Sequence, residues 1–117
     1  MYEKTSLDDL DEHDVDGVEP GLKAVGYELR PEKMRPSVWT YTEGESNNRH
    51  RQEEQEELYY AIDGRFEIAV EDETVTMEAG DFVVVDPEAW RQITATEDGT
   101  LLAVGAPNVE DDAVVEE

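Results

Sequence analysis

Few side chains in this chain of 117 residues could carry out covalent or acid–base chemistry. There is no cysteine, which removes thiolate nucleophiles, thiolate metal sites and disulfides together. There are two histidines, and His13 stands among aspartates, where a solvated arm is expected rather than a metal site. The other, His50, lies in the stretch 44–64, GESNNRHRQEEQEELYYAIDG. A Ser-His-Asp arrangement therefore has little material, and no glycine-rich phosphate loop is present. The stretch 44–64 does offer His50 with Gln52 two places on, followed by the acidic run Glu53-Glu54-Gln55-Glu56-Glu57. Most of that run is expected as solvated surface. Far along the chain, Arg91 shares the parity of Ile93 and Ala95, opposite to Gln92, Thr94 and Thr96. In a strand, that parity turns a permanent cation inward with the apolar side chains.

The elements that would position these residues read as short strands between turn signals, spaced about every 8–12 residues, the pattern of an all-β barrel or sandwich. GLKAVGYELR is expected as an irregular first strand, with a change of face or a bulge near Gly26. SVWTYT puts Trp39 and Tyr41 on one face. LYYAI, RFEIAV, ETVTM, DFVVV, RQITAT and TLLAVGA follow. Asp63-Gly64 and Asp98-Gly99 read as hairpin turns, with further turns at Glu71-Asp72, Ala79-Gly80 and Asp86-Pro87. Phe82 to Val85, apolar on both parities, is expected as a fully buried strand. Residues 1–20 are expected as an acidic arm, 21–107 as one barrel domain and 108–117 as an acidic tail, possible cover for a partner subunit. No apolar run approaches the ~20 residues of a membrane span, and no signal-peptide pattern opens the chain.

Thirty-two acidic residues against nine basic ones give a net charge of −23, with three lysines among the nine. Acids are spread along the whole chain. Such a composition suits a protein working in molar salt, where a Debye length of roughly 3 Å screens self-repulsion and carboxylates hold the hydration layer. The expected source is a halophile with a salt-filled cytoplasm, and the expected location is cytoplasmic. The same field repels nucleic acid and anionic membranes, so neither is expected as a partner.

The spacing of the two motif regions resembles the cupin superfamily, small double-stranded β-helix (jelly-roll) barrels. Its first motif runs Gly, five residues, His-x-His, three or four residues, Glu, six residues, Gly. Here it reads Gly44, five residues, His50-Arg51-Gln52, four residues, Glu57, six residues, Gly64, with Gln52 in place of the second His. Its second motif runs Gly, five residues, Pro-x-Gly, two residues, His. Here Gly80 is followed by DFVVV, Asp86-Pro87-Glu88, two residues and Arg91, so Pro87 is one place off and Arg91 stands at the fourth ligand position. The resemblance covers roughly residues 21–107 and is nearest to small, stand-alone cupins, mostly of undefined function.

The resemblance implies an all-β cupin barrel and a homodimer. It also implies a metal set of His50, Gln52 and Glu57, in which imidazole and carboxylate are good ligands, an amide oxygen is a poorer one, and Arg91 cannot ligate. Neutral Gln52 and cationic Arg91 make this a degenerate metal centre, so the expected cofactor is none, or one divalent metal ion. Two readings of an inward Arg91 stand side by side. In one it pairs with Glu57 in place of a metal. In the other Arg91, with Glu57, His50 and Gln52, anchors a small polar or anionic molecule, walled by Tyr59, Trp39, Tyr41 and Trp90. The expected function is thus small-molecule binding in the barrel by a cupin of undefined activity. The alternatives are a metal-dependent isomerase or dioxygenase using His50, Gln52 and Glu57, and a structural or regulatory dimer with a filled barrel.

Overall fold

Two long strands carry the architecture of this protein, for which a computed structural model describes residues 1–117. They are β5 (Glu56–Val70) and β8 (Arg91–Ala106), and they pair antiparallel from Glu56↔Ala106 to Val70↔Arg91. Around them, in chain order, lie a 3-10 turn (Leu7–Asp9), β1 (Glu12–Val15), β2 (Val18–Lys23), α1 (Val25–Leu29), β3 (Arg35–Tyr41) and β4 (His50–Gln52). Then come β6 (Glu73–Glu78), β7 (Phe82–Val85) and β9 (Ala113–Val115). On one edge β8 pairs with β3 and β4; on the other, β5 pairs with β7 and then β6. The strands curl into the double-stranded β-helix, and every strand pairing is antiparallel.

Asp63-Gly64 and Asp98-Gly99 are not hairpin turns. They lie inside β5 and β8, where the register shifts between Ala61 and Phe66. The shift moves the buried parity of β5 from Tyr59 and Ala61 to Phe66 and Ile68, so both halves face one core. Gly64 has φ +80°, and a Cβ there would lie 2.5 Å from the Asp98 carbonyl oxygen and from Gly99 Cα. Glycine is required at this crossing of two backbones. Tyr41 meets Phe66 edge-on at 5.3 Å between ring centroids, among Ile68, Met77, Ile93 and Leu101.

Four other expectations change. The second half of GLKAVGYELR is the single helical turn α1, which ends with Arg30 in the left-handed region (φ 55°). The segment expected as a solvated arm contains the β1–β2 hairpin, and β2 pairs with β3 from Gly21↔Thr40 to Lys23↔Val38. At the other end, β9 pairs with β4 of its own chain, and buried Asp112 accepts hydrogen bonds from the Glu54 and Gln55 amides. Last, β7 is buried on one face alone: Phe82 and Val84 are 66% and 56% exposed, while Val85 is in the core. An edge strand beside β5 covers only its inner side. No helix is long and apolar enough to cross a membrane.

Candidate functional site

The start of β5 and the start of β8 meet inside the barrel because both side chains have inward parity. Arg91 is 0% exposed, with Ile93 and Ala95 below it on the same face. Its backbone pairs with His50 of β4 on one side and Val70 of β5 on the other. From there the guanidinium reaches Glu57: Nη1 donates to Oε1 at 3.1 Å, and Nη2 donates to the Asp86 carbonyl at 2.6 Å. Pro87, from the displaced second motif, adds a longer carbonyl contact to Nη2 at 3.4 Å.

Glu57 Oε1 is the centre of the cluster. Besides Arg91 it accepts from the Tyr59 hydroxyl at 2.5 Å and from Gln52 Nε2 at 3.3 Å, and His50 Nε2 lies 3.5 Å away. Burial pushes the Glu57 carboxyl up. The hydrogen bonds from His50 and Tyr59, with the charges of His50 and Arg91, outweigh that and hold it below its ordinary value of 4.5. Tyr59 moves the opposite way, well above 10.0, through burial and the adjacent Glu57 charge. Tyr41 is likewise raised, by burial and then by Glu45 and Glu57. The cluster is thus a neutral phenol locked onto an ionised, paired carboxylate.

Two acceptors in the cluster have no donor. Gln52, 6% exposed, leaves its Oε1 buried and without a partner. Turning the amide over would set that oxygen against Glu57 Oε1, so the orientation is fixed by its neighbour. No hydrogen bond of the structure uses Glu57 Oε2. His50 Nδ1 lies 2.9 Å from the Asn48 carbonyl, which can only accept, so Nδ1 carries a proton. Its Nε2 faces Glu57 Oε1 at 3.5 Å.

These residues help line a cavity of about 190 Å³, whose wall includes His50, Gln52, Glu57, Tyr59, Tyr41 and Trp39. Arg91 is not on its wall: it sits behind Glu57. Trp90 is also elsewhere, under the Arg51 guanidinium at 5.6 Å. The structure thus combines an Arg91–Glu57 pair with a void beside it, and brings His50, Gln52, Glu57, Tyr59 and Trp39 together around that void. A wider, open cleft of about 720 Å³ adjoins it, sharing Ser37, Trp39 and Glu57. The cleft wall includes Arg30 and Arg35, which the spacing of motifs did not single out.

The donor set does not fit the divalent metal that the fold implies. Two good ligands, His50 and Glu57, remain, and no group of three or more His, Cys, Asp or Glu side chains converges anywhere in the structure. The position of a further imidazole holds a guanidinium that already bonds the carboxylate oxygen facing His50. A dication beside that charge meets a repulsion of several kcal/mol even at an effective dielectric constant of about 20.

A double-stranded β-helix barrel with a carboxylate–arginine cluster at the position of a metal centre defines the class of this protein. By sequence the cupin domain family matches residues 37–105, more than half of the chain, and the chain belongs to that family. No curated protein matches it by sequence. Among solved structures it is similar to an uncharacterized double-stranded β-helix protein of Klebsiella pneumoniae (19% identity, TM-score 0.80, covering 100% of this chain and 99% of that one). A cupin-superfamily sugar phosphate isomerase of Silicibacter pomeroyi aligns at 17% identity and TM-score 0.82, over 98% and 82% of the two chains. Oxalate decarboxylase of Bacillus subtilis aligns at 19% and 0.77, over 95% of this chain and 31% of its own. At these identities the likeness is one of fold.

Proposed function

We propose that the barrel binds a small hydroxyl-bearing molecule without a metal, in the cavity beside Glu57. The observation that carries this reading is a cavity lined by both Gln52, whose buried Oε1 has no partner, and Glu57, whose Oε2 takes part in no hydrogen bond. Buried acceptors without donors are costly, about 1–3 kcal/mol each, and a ligand that donates O–H groups offsets that cost. Arg91 acts through Glu57, keeping it ionised so that it accepts. This shifts the expected anionic anchor away from Arg91 and leaves the inner cavity selective for donors.

The test is calorimetric titration of glucose, sorbitol and gluconate into protein prepared without a His tag in molar KCl and EDTA, with Gln52→Met alongside. Binding by the hydroxylated compounds that weakens at least about tenfold in Gln52→Met supports the reading. Unchanged heats for all three, with stoichiometric tightly held zinc, iron, manganese or nickel before EDTA, would replace it by the metal-dependent enzyme.

Two wider features belong to the same proposal. The outer face of β3, β8, β5 and β7 presents two cross-strand rows, Leu102–Tyr60–Phe82, which ends on buried Val38, and Pro36–Val104–Leu58–Val84. Tyr60 and Phe82 stack at 4.4 Å. An uncharged sheet face of this extent, in a chain of net charge −23, suits a second copy of the same chain, and we read the protein as a homodimer through it. The acid excess in turn fits a salt-rich cytoplasm in a halophile.

A further inference from the structure

We infer that Arg30 and Arg35 form an anion subsite at the mouth of the barrel, so that the ligand is a hydroxylated molecule ending in a carboxylate or phosphate. The inference rests on the cavity reading above and names the charge of what enters it.

The chain has 32 carboxylates to offer six arginines. Arg49, Arg65 and Arg91 take one each, within ion-pair distance of Glu116, Glu78 and Glu57. Arg51 lies over Trp90. Arg30 and Arg35 have no carboxylate partner, and they are the two that line the open cleft leading to Glu57. Glu110 also borders that cleft and pairs with neither. Three of the six arginines thus stay without a carboxylate although acids outnumber bases more than threefold, and two of those three face one cleft. Residues 22–36 hold four of the nine basic residues and only two acids, Glu28 and Glu32.

Both guanidiniums are held in place without being used up. Arg30 occupies the left-handed position after α1, where glycine is the usual residue, and its guanidinium stacks on the Tyr27 ring at 4.0 Å. No hydrogen bond of the structure takes an N–H of that guanidinium; the Arg30 backbone N–H donates to the Gly26 carbonyl at 2.9 Å. Arg35 gives one bond, Nη1 to Asn108 Oδ1 at 3.1 Å, and Asn108 in turn donates to the Pro31 carbonyl at 2.9 Å. The remaining N–H groups form the planar forks that match carboxylate and phosphate oxygens. Inside are acceptors and outside are donors. A ligand with hydroxyls at one end and an anion at the other satisfies both. Molar salt screens long-range attraction but spares such direct bidentate contacts.

The experiment compares glucose, gluconate, glucose 6-phosphate and inorganic phosphate as calorimetric titrants, against wild type, Arg30→Gln/Arg35→Gln and Arg30→Lys/Arg35→Lys, in EDTA and molar KCl. The anionic sugars are expected to bind at least about tenfold tighter than glucose, the better of the two distinguishing carboxylate from phosphate. The Gln pair removes that gain while glucose affinity stays within about twofold, and the Lys pair keeps only part of it. Equal affinity for neutral and anionic sugars, or a gain that survives the Gln pair, overturns the subsite while leaving the cavity reading intact. Phosphate binding that is lost in the Gln pair, with no glucose binding at all, upholds the subsite and rejects the cavity. Absence of binding by all four titrants overturns both.

Discussion

Replacing Glu57 by Gln keeps the shape of the cluster and removes its only negative charge. Arg91 is then a guanidinium with 0% exposure, bonded to two carbonyls, with its Nε already unpartnered. Breaking one side of a buried pair costs about 3–5 kcal/mol because the other charge is left uncompensated. In a domain whose total stability is of order 5–15 kcal/mol, that is roughly 10–20 °C in Tm. Arg91→Met leaves the opposite orphan, but Glu57 retains Tyr59, Gln52 and His50 as neighbours and is partly solvated, so a smaller loss of about 1–3 kcal/mol is expected. The double variant Glu57→Gln/Arg91→Met removes both charges at similar volume and is expected to be more stable than Glu57→Gln alone. Urea unfolding in fixed molar KCl measures all four proteins, urea being chosen because guanidinium would also change the salt. A coupling of about 2 kcal/mol or more between the two sites is expected. Coupling below about 0.5 kcal/mol, or a Glu57→Gln variant within about 1 kcal/mol of wild type, would refute the view that this pair holds the site.

Four further outcomes follow from the same geometry. The depressed Glu57 carboxyl binds its proton more weakly folded than unfolded, so its contribution to stability is present above about 4.5 and is lost as pH falls through the lower folded value; urea midpoints in molar KCl should drop more steeply below that pH in wild type than in Glu57→Gln. Arg91→His restores a neutral ligand and removes the repelling charge, and should raise Zn²⁺ or Ni²⁺ affinity by at least about tenfold over wild type, read by metal analysis after gel filtration. Wild type is expected to sediment as a dimer, and Phe82→Glu, placed on the exposed apolar face, as a monomer with an unchanged circular dichroism spectrum. In about 0.1 M salt the protein should unfold and in molar KCl recover, and full ellipticity at low salt would contradict the salt adaptation proposed above.

The inward direction of Arg91 was legible because a strand alternates with period two, and Ile93 and Ala95 set the phase. The cupin fold was legible for a related reason: the distances from Gly44 to Gly64 are set by a turn, two strands and a crossing, and those lengths survive replacement of the ligands. What the sequence hid has equally specific causes. Asp63-Gly64 looks like a hairpin because a bulge with positive φ asks for the same glycine as a turn. Phe82 to Val85 looks fully buried because an apolar outer face reads alike whether it meets core, solvent or another subunit. The single turn of α1 is too short for a helical period. Trp90 lies inside the second motif, next to Arg91, yet its ring turns toward Arg51 instead of the cavity. Arg30 and Arg35 carry no motif at all, and only the path from α1 into β3 brings them to one cleft.

The carboxyl-terminal strand has a practical meaning for anyone handling the molecule. β4, the three-residue strand that carries His50 and Gln52, has β9 along one side, and Asp112 fastens the chain that follows it. The last ten residues therefore act as a splint on the wall proposed to bind the ligand. A purification handle fused directly after Val115, a nick near Glu110 or a shortened expression clone would register as altered ligand affinity before it registered as unfolding. Handles belong at the other end, where Met1 and Tyr2 lie open to solvent.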